Sequence, residues 1–190
     1  MVEAHAVLRS ARDRLLEAAE RVVSDIGAAR LTLDGVAQAA GVSKGGLLYH
    51  FPSKESLLGA LAQRYVETLE HCIDSAKLDL DEGDKGRELK ACILGVLGDD
   101  PRSKAMGAAL LATAANDPGL LKVIRERVAH HTQGLIGADV NFARAAVVSL
   151  AVDGLKLRES LRISTFSAEQ RAQIVAELLT VADEAYKGRA

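Results

Sequence analysis

Between Ser43 and Lys54 the chain reads SKGGLLYHFPSK, which sets a hydroxyl, a cation and two glycines in a row and then adds a phenol, an imidazole and a second cation. Small, polar and cationic residues at the start of a helix suit a backbone that must approach base edges in a duplex groove. Lys54 follows a capping residue, so its charge joins the exposed NH groups of a helix start, and both favour a phosphate. Tyr49 and His50 can donate to phosphates as well. Two successive glycines inside a helix cost roughly 1 kcal/mol each relative to alanine, so Gly45 and Gly46 must answer to something other than helix stability. Close approach of the backbone to DNA is the gain expected of them; the alternative is an ordinary helical corner with Lys44 and Lys54 solvated.

The elements that position these residues can be read from caps and spacing. Thr32 precedes an apolar set at Leu33, Val36, Ala37 and Ala40, the i, i+3, i+4, i+7 face of a short helix, and can cap it. Gly41 ends that helix in the left-handed conformation that glycine takes freely. Ser43 caps a second helix from Lys44 to about His50, stopped before Pro52. Ser53 caps a third, running from Lys54 towards Ser75. Two short helices crossing at a tight turn are a helix-turn-helix, whose second member enters the major groove. Upstream, Leu8, Ala11, Leu15, Ala18, Val22 and Ile26 form the apolar stripe of a scaffold helix, with Gly27 as its stop. Arg9, Arg12 and Arg14 on its first turns are candidates for phosphate contact or for a solvated face.

The segment SKGGLLYHFPSKESLL closely resembles the DNA-binding part of TetR-type transcriptional regulators, and the match extends back through LTLDGVAQAAGV into the first helix, over about the first 65 residues. The resemblance implies that Thr32, Ser43, Lys44, Gly45, Gly46, Tyr49, His50 and Lys54 touch double-stranded DNA while Leu47 and Phe51 pack inward. Leu48 stands where many relatives carry an aromatic, so an apolar contact with a thymine methyl replaces a hydroxyl contact there.

With 24 basic and 26 acidic residues among 190, the chain carries a net charge of −2. Residues 1–65 hold 8 Lys/Arg and 7 Asp/Glu, net +1, and residues 66–190 hold 16 and 19, net −3. So weak a basic bias excludes a non-specific DNA-coating protein; affinity must come from a few placed cations and from dimeric avidity. Strand signals are absent, and the reading is all-α with about nine helices. Residues 1–55 form a three-helix DNA-binding domain, 56–78 a connecting helix, and 79–190 a helical ligand-binding and dimerisation domain. No apolar run reaches the ~18 residues needed to span a bilayer, so the expectation is a cytoplasmic protein without a membrane partner. Cys72 and Cys92 lack metal-ligand spacing and read as small buried hydrophobes.

Beyond the loop at 79–86, helices are expected at about 87–97, 101–115 and 118–136, then from Asp139 or Asn141 to about Leu161, and last at 168–187, where Ser167 and Gln170 form a capping box. Apolar residues on more than one face of the last two helices suggest a homodimer, with Val148, Val152, Leu155, Ile174, Leu178 and Val181 as the expected interface; the alternative is that these helices are central to the monomer. Small residues beside large ones between Arg87 and Gly137 either leave a cavity or let helices approach closely. In relatives such a cavity binds a small-molecule effector. For that role Met106, Leu110, Thr113, Asn116, Arg127, His130 and Asp153 are the candidates, each also readable as a cap, surface or salt-bridge residue.

Enzymatic readings fail on spacing. Gly41–Gly46 has a phosphate-loop rhythm, but Leu47 stands where lysine is required. Gly41–Gly45 spells G-x-S-x-G, yet a helix rather than a strand precedes it. The pairs His71-Cys72 and His130-His131 point apart on their helices and cannot chelate together. No cofactor or catalytic residue is expected. The function expected is that of a repressor released from a pseudo-palindromic operator by a small molecule. The alternatives are a ligand-blind DNA-binding dimer and, behind it, a helical enzyme or carrier.

Overall fold

The computed structural model describes residues 10–98, 101–114, 119, 121–137 and 140–186, all in helices and the turns between them. Helix α1 spans Ala11–Ile26, a 3₁₀ turn covers Ala28–Arg30, and α2 (Leu33–Ala40), α3 (Lys44–His50) and the long α4 (Lys54–Leu78) follow. The remainder is α5 (Arg87–Val96), α6 (Pro101–Ala114), α7 (Leu121–Gly137), α8 (Phe142–Ser160) and α9 (Ala168–Tyr186).

The termini follow from local chemistry. Thr32 Oγ1 accepts from the Gly35 NH at 3.1 Å and Ser43 Oγ from the Gly46 NH at 3.1 Å, each satisfying a donor that the helix itself leaves unpaired. Ser53 and Ser56 cap α4 reciprocally, and Ser167 and Gln170 do the same for α9 at 3.2 and 2.9 Å. Gly41 sits at φ +69°; its NH bonds Gln38 O while the Val42 NH reaches Ala37 O, the Schellman closure that turns the chain from α2 into α3. Asn141 caps α8 through the Arg144 NH; Asp139, the other candidate, and position 118, where the helix before it was expected to start, lie outside the described residues. The next helix runs from Leu121.

Two cores form. In the first, Leu15, Leu16, Ala18, Ala19 and Val23 of α1 meet Val36, Ala37, Leu47 and Phe51 of the helix-turn-helix and Leu57, Leu58 and Leu61 of α4. The buried face of α1 is therefore wider than the expected stripe: Leu15 and Ala18 of that stripe are inside and Val22 packs against the core, Leu16, Ala19 and Val23 join them, and Ile26 is 42% exposed, because α1 is packed by α2 on one side and by α4 and α6 on the other. Met106, Ala109 and Leu110 of α6 belong to this same core, so the boundary expected near residue 55 is crossed by a helix from the C-terminal half. The second core joins Leu89, Ile93 and Val96 of α5 to Val148, Val152 and Leu155 of α8 and Leu178, Ala182 and Ala185 of α9. Polar staples hold it: Arg171 of α9 donates to Glu159 of α8 and to the Leu97 carbonyl, each at 2.5 Å. Lys90 of α5 pairs with Asp84 at 2.6 Å and with Asp183 of α9 at 2.5 Å.

Candidate nucleic-acid interface and ligand cleft

Helix α3 shows one face inward and the other to solvent. Leu47 and Phe51, four apart, are 0% and 2% exposed and anchor the helix, while Ser43, Lys44, Gly45, Gly46, Leu48 and Tyr49 are all exposed. Tyr49 is 85% exposed, with its ring edge-on to His50 at 5.1 Å. So exposed an aromatic adds nothing to the packing of the helix that carries it. Leu48, at 36% exposure, lies on the same outer face, and Thr32 is exposed at the start of α2. Lys54 is half-buried at the start of α4 and has polar partners of its own.

Space around the glycines sharpens this. A Cβ on Gly45 would meet nothing within 4 Å, and one on Gly46 only the Ser43 Oγ at 3.3 Å. The protein's own packing does not require glycine at 45. Lys44 is held by Asp34 of α2, its Nζ 3.0 Å from Oδ1, which sets the lysine along the turn between the helices. The Arg12 guanidinium lies 5.3 Å from the centre of the Phe51 ring, so stacking is its role here; Arg14 is exposed, and Arg9 lies outside the described residues.

Behind the reader, Arg64 of α4 reaches Asp13, Glu17 and Glu20 of α1, the last at 3.1 Å. Arg64 and Asp13, with Arg12, Glu67 and His71, line an open groove of about 420 Å³. Beside it, the pairs from Arg64 to Glu17 and Glu20 clamp α4 to α1. Further along α4, burial raises the Tyr65 phenol above its ordinary range. A Cβ on Gly107 would come within 2.9 Å of the Tyr65 oxygen, so the small residues of α6 serve close approach to α4.

A smaller cleft of about 180 Å³ lies between α5, α7 and α8. Cys92, Val96, Val128, Phe142, Leu150 and Val152 give it an apolar lining, and Arg127, His131, Ser149 and Asp153 supply its polar groups. Of the expected ligand residues, Arg127 and Asp153 are in it. His130 is exposed outside, and its neighbour His131 takes the place: one turn beyond Arg127, His131 shares its face, a rule the sequence offered. Met106 and Leu110 are in the reader-side core, Thr113 bonds the Ala109 carbonyl of its own helix at 2.8 Å, and Asn116 lies outside the described residues.

Burial holds the His131 imidazole below its usual range, with Arg127 adding to the effect, so the ring is neutral near pH 7. Its Nε2 lies 3.1 Å from Ser149 Oγ, which is also 3.1 Å from the Ala145 carbonyl, so the ring tautomer sets which member of the His131–Ser149 pair donates. Burial also raises the Asp153 carboxyl, while Arg127 and His131 oppose it. The Cys92 thiol is pushed up to about 11 by burial, which makes it a packing residue rather than a nucleophile. Among the described residues no cluster of three His, Cys, Asp or Glu could hold a metal, and no helix is long and apolar enough to cross a membrane.

The expected dimer residues are placed differently. Val148, Val152, Leu155 and Leu178 are at most 8% exposed and belong to the chain's own second core, against which Ile174 and Val181 pack half-buried. A side chain consumed by its own core cannot be the face offered to a copy. The exposed stripe of α8 is Ala143, Val147, Leu150 and Leu157, continued by Leu161 just beyond the helix.

An exposed two-helix reader on a buried scaffold, backed by a helical domain with its own cleft, defines a helix-turn-helix DNA-binding regulator. The family description "bacterial regulatory proteins, tetR family" matches residues 15–61, and "tetracyclin repressor-like, C-terminal domain" matches residues 86–183. The chain belongs to the TetR family of transcriptional regulators. It is 28% identical to the HTH-type transcriptional regulator BetI of Ectopseudomonas mendocina, over 88% of this chain and 91% of that one. It is 42% identical to TtgR of Pseudomonas putida over 60 residues, 32% of this chain and 29% of that protein. A transcriptional regulator from Rhodococcus sp. Rha1 has the same fold, with a TM-score of 0.70 and 24% identity over 94% of this chain and 97% of that one. The multidrug binding protein EbrR, solved with malachite green, aligns with a TM-score of 0.62 and 25% identity, covering 88% and 96%.

Proposed function

We propose that the protein is a cytoplasmic, homodimeric repressor whose two α3 helices read a pseudo-palindromic operator, and that a small molecule in the α5–α7–α8 cleft releases it. The observation that carries the reading is the outer face of α3, where Tyr49, Leu48 and Lys44 surround two glycines that the fold leaves uncrowded. Thr32, Ser43, His50 and Lys54 extend that face along the groove edge, with phosphates as their partners. A copy of the chain supplies the second reading head, about one duplex turn away. Its seat is the exposed stripe of α8, where Ala143, Val147, Leu150, Gly154, Leu157 and Leu161 recur at intervals of four and three residues, the spacing of a two-helix seam. Gly154 has open space around it, which lets a facing helix come close.

Release requires the ligand to favour the DNA-incompetent geometry, because equal affinity for both states shifts nothing. The binding of malachite green by EbrR supports a ligand-responsive reading for a chain of the same fold. Helix α4 is the connection: it starts at the reader and carries Tyr65, which lies within the electrostatic reach of Arg127.

Gel-shift titration against the DNA flanking the protein's own gene tests this directly. Lys54→Ala is expected to weaken binding to every sequence and flatten the salt dependence, while Lys44→Ala also alters base preference. Parent-like binding by both variants would show that the face is assigned wrongly.

A further inference from the structure

The polar groups of the small cleft stand as two rungs between antiparallel helices. Arg127 and His131 are one turn apart on α7, and Ser149 and Asp153 are one turn apart on α8. The His131–Ser149 rung is closed by a hydrogen bond of 3.1 Å. The other rung is open: Arg127 is close enough to pull on the Asp153 charge, yet no hydrogen bond or ion pair joins the two. A guanidinium and a carboxylate thus face one apolar cleft with a gap between them.

Resting on the ligand-release reading above, we propose that this cleft takes a compact, uncharged molecule whose polar end sets a hydrogen-bond acceptor beside a donor, such as a primary carboxamide on an apolar ring. The carbonyl accepts from Arg127, the NH2 donates to Asp153, and the ring lies against Val96, Val128 and Phe142. Size fits: a cavity of ~150 Å³ is known to hold benzene, and this one of about 180 Å³ adds room for one small polar group. Charge decides the class. Arg127 and Asp153 cancel, and His131 adds nothing when neutral, so a net cation or anion would bring an uncompensated charge into a partly desolvated site. A zwitterion would keep neutrality but must shed the hydration of two full charges, whereas a carboxamide sheds far less. A purely apolar guest would displace water from two charged groups and return no hydrogen bond.

Four probes of one shape and a fifth lacking the polar end separate these cases: benzamide, benzoate, benzylammonium, phenylglycine and toluene, each titrated against the full chain by calorimetry and by release of labelled operator. Benzamide is expected to bind at least tenfold more tightly than the other four. Asp153→Asn, which leaves Arg127 unopposed, should turn the preference to benzoate, and Arg127→Gln should turn it to benzylammonium. A charged, zwitterionic or apolar probe binding the parent as tightly as benzamide would overturn the proposal, as would an unchanged preference in both variants or no binding by any probe. Benzamide binding without operator release would support the ligand class and count against the release reading; release by a charged probe would do the reverse.

Discussion

The glycines of α3 and those of α5 and α6 show how differently the two halves of the molecule use the same residue. A side chain at Gly45 would meet nothing within 4 Å, whereas one at Gly95 would lie 2.6 Å from the Cα and N of Ile73. At Gly95 of α5 and Gly107 of α6, glycine is demanded from within, because α5 presses on the backbone of α4 and α6 on the Tyr65 side chain. In the reader no such neighbour stands at Gly45, and on the proposed reading the demand there comes from the DNA. Glycine content alone therefore says nothing about function; the neighbour that a Cβ would strike does.

The largest effect should come from the inner kind. Gly95→Ala forces backbone apart rather than a flexible side chain, and urea unfolding should show a loss of about 3 kcal/mol, the upper range for overpacking. A loss below about 1 kcal/mol would mean that α4 and α5 slide apart easily. Next comes Glu159, the carboxylate between Arg171 and Lys104. Burial alone would raise its pKa, but the two cations win and hold it below the usual 4.5. A depressed carboxylate stabilises the fold above its unfolded pKa and loses that contribution as pH falls through the folded value. Glu159→Gln should therefore cost about 2 kcal/mol at pH 7, with the gap to the parent closing below about pH 4. A gap independent of pH would assign the loss to packing.

Gly59→Ala, on an α4 position with open space, should raise stability by about 1 kcal/mol through helix propensity and leave operator affinity alone. Smallest of all, Asp34→Asn removes the partner of Lys44 from an exposed ion pair. Its stability change should stay under about 1 kcal/mol, while operator affinity rises by roughly twofold as a carboxylate leaves the phosphate-facing side. Weaker binding would mean that Asp34 positions Lys44 rather than restrains it.

The reader was legible because its information is local. Caps at Thr32, Ser43 and Ser53 and the stop at Gly41 lie within a few residues of what they control, so the starts of α2, α3 and α4 and the end of α2 were read to the residue, whereas α4 runs on past Ser75 to Leu78. The inward pair Leu47 and Phe51 came from family resemblance. The C-terminal half was legible in its elements, down to the Ser167–Gln170 box, but not in its faces. Helix α8 is apolar on two sides, and periodicity cannot say which stripe the chain buries itself; the expected interface at Val148, Val152 and Leu155 proved to be the inner one. The α6 residues Met106 and Leu110 were misplaced for a related reason: nothing in their neighbourhood shows that α6 packs on α1. His131 over His130 was within reach, since Arg127 is four residues before it.

Gly45→Ala, measured for both unfolding free energy and operator affinity, is the decisive comparison. If α3 lies in the major groove, the variant should be as stable as the parent or about 1 kcal/mol more so, and should bind operator at least tenfold more weakly, a loss of about 1.4 kcal/mol. Parent-like affinity in an equally stable Gly45→Ala protein would contradict the assignment, because it would leave the outer face of α3 with no partner that needs the space.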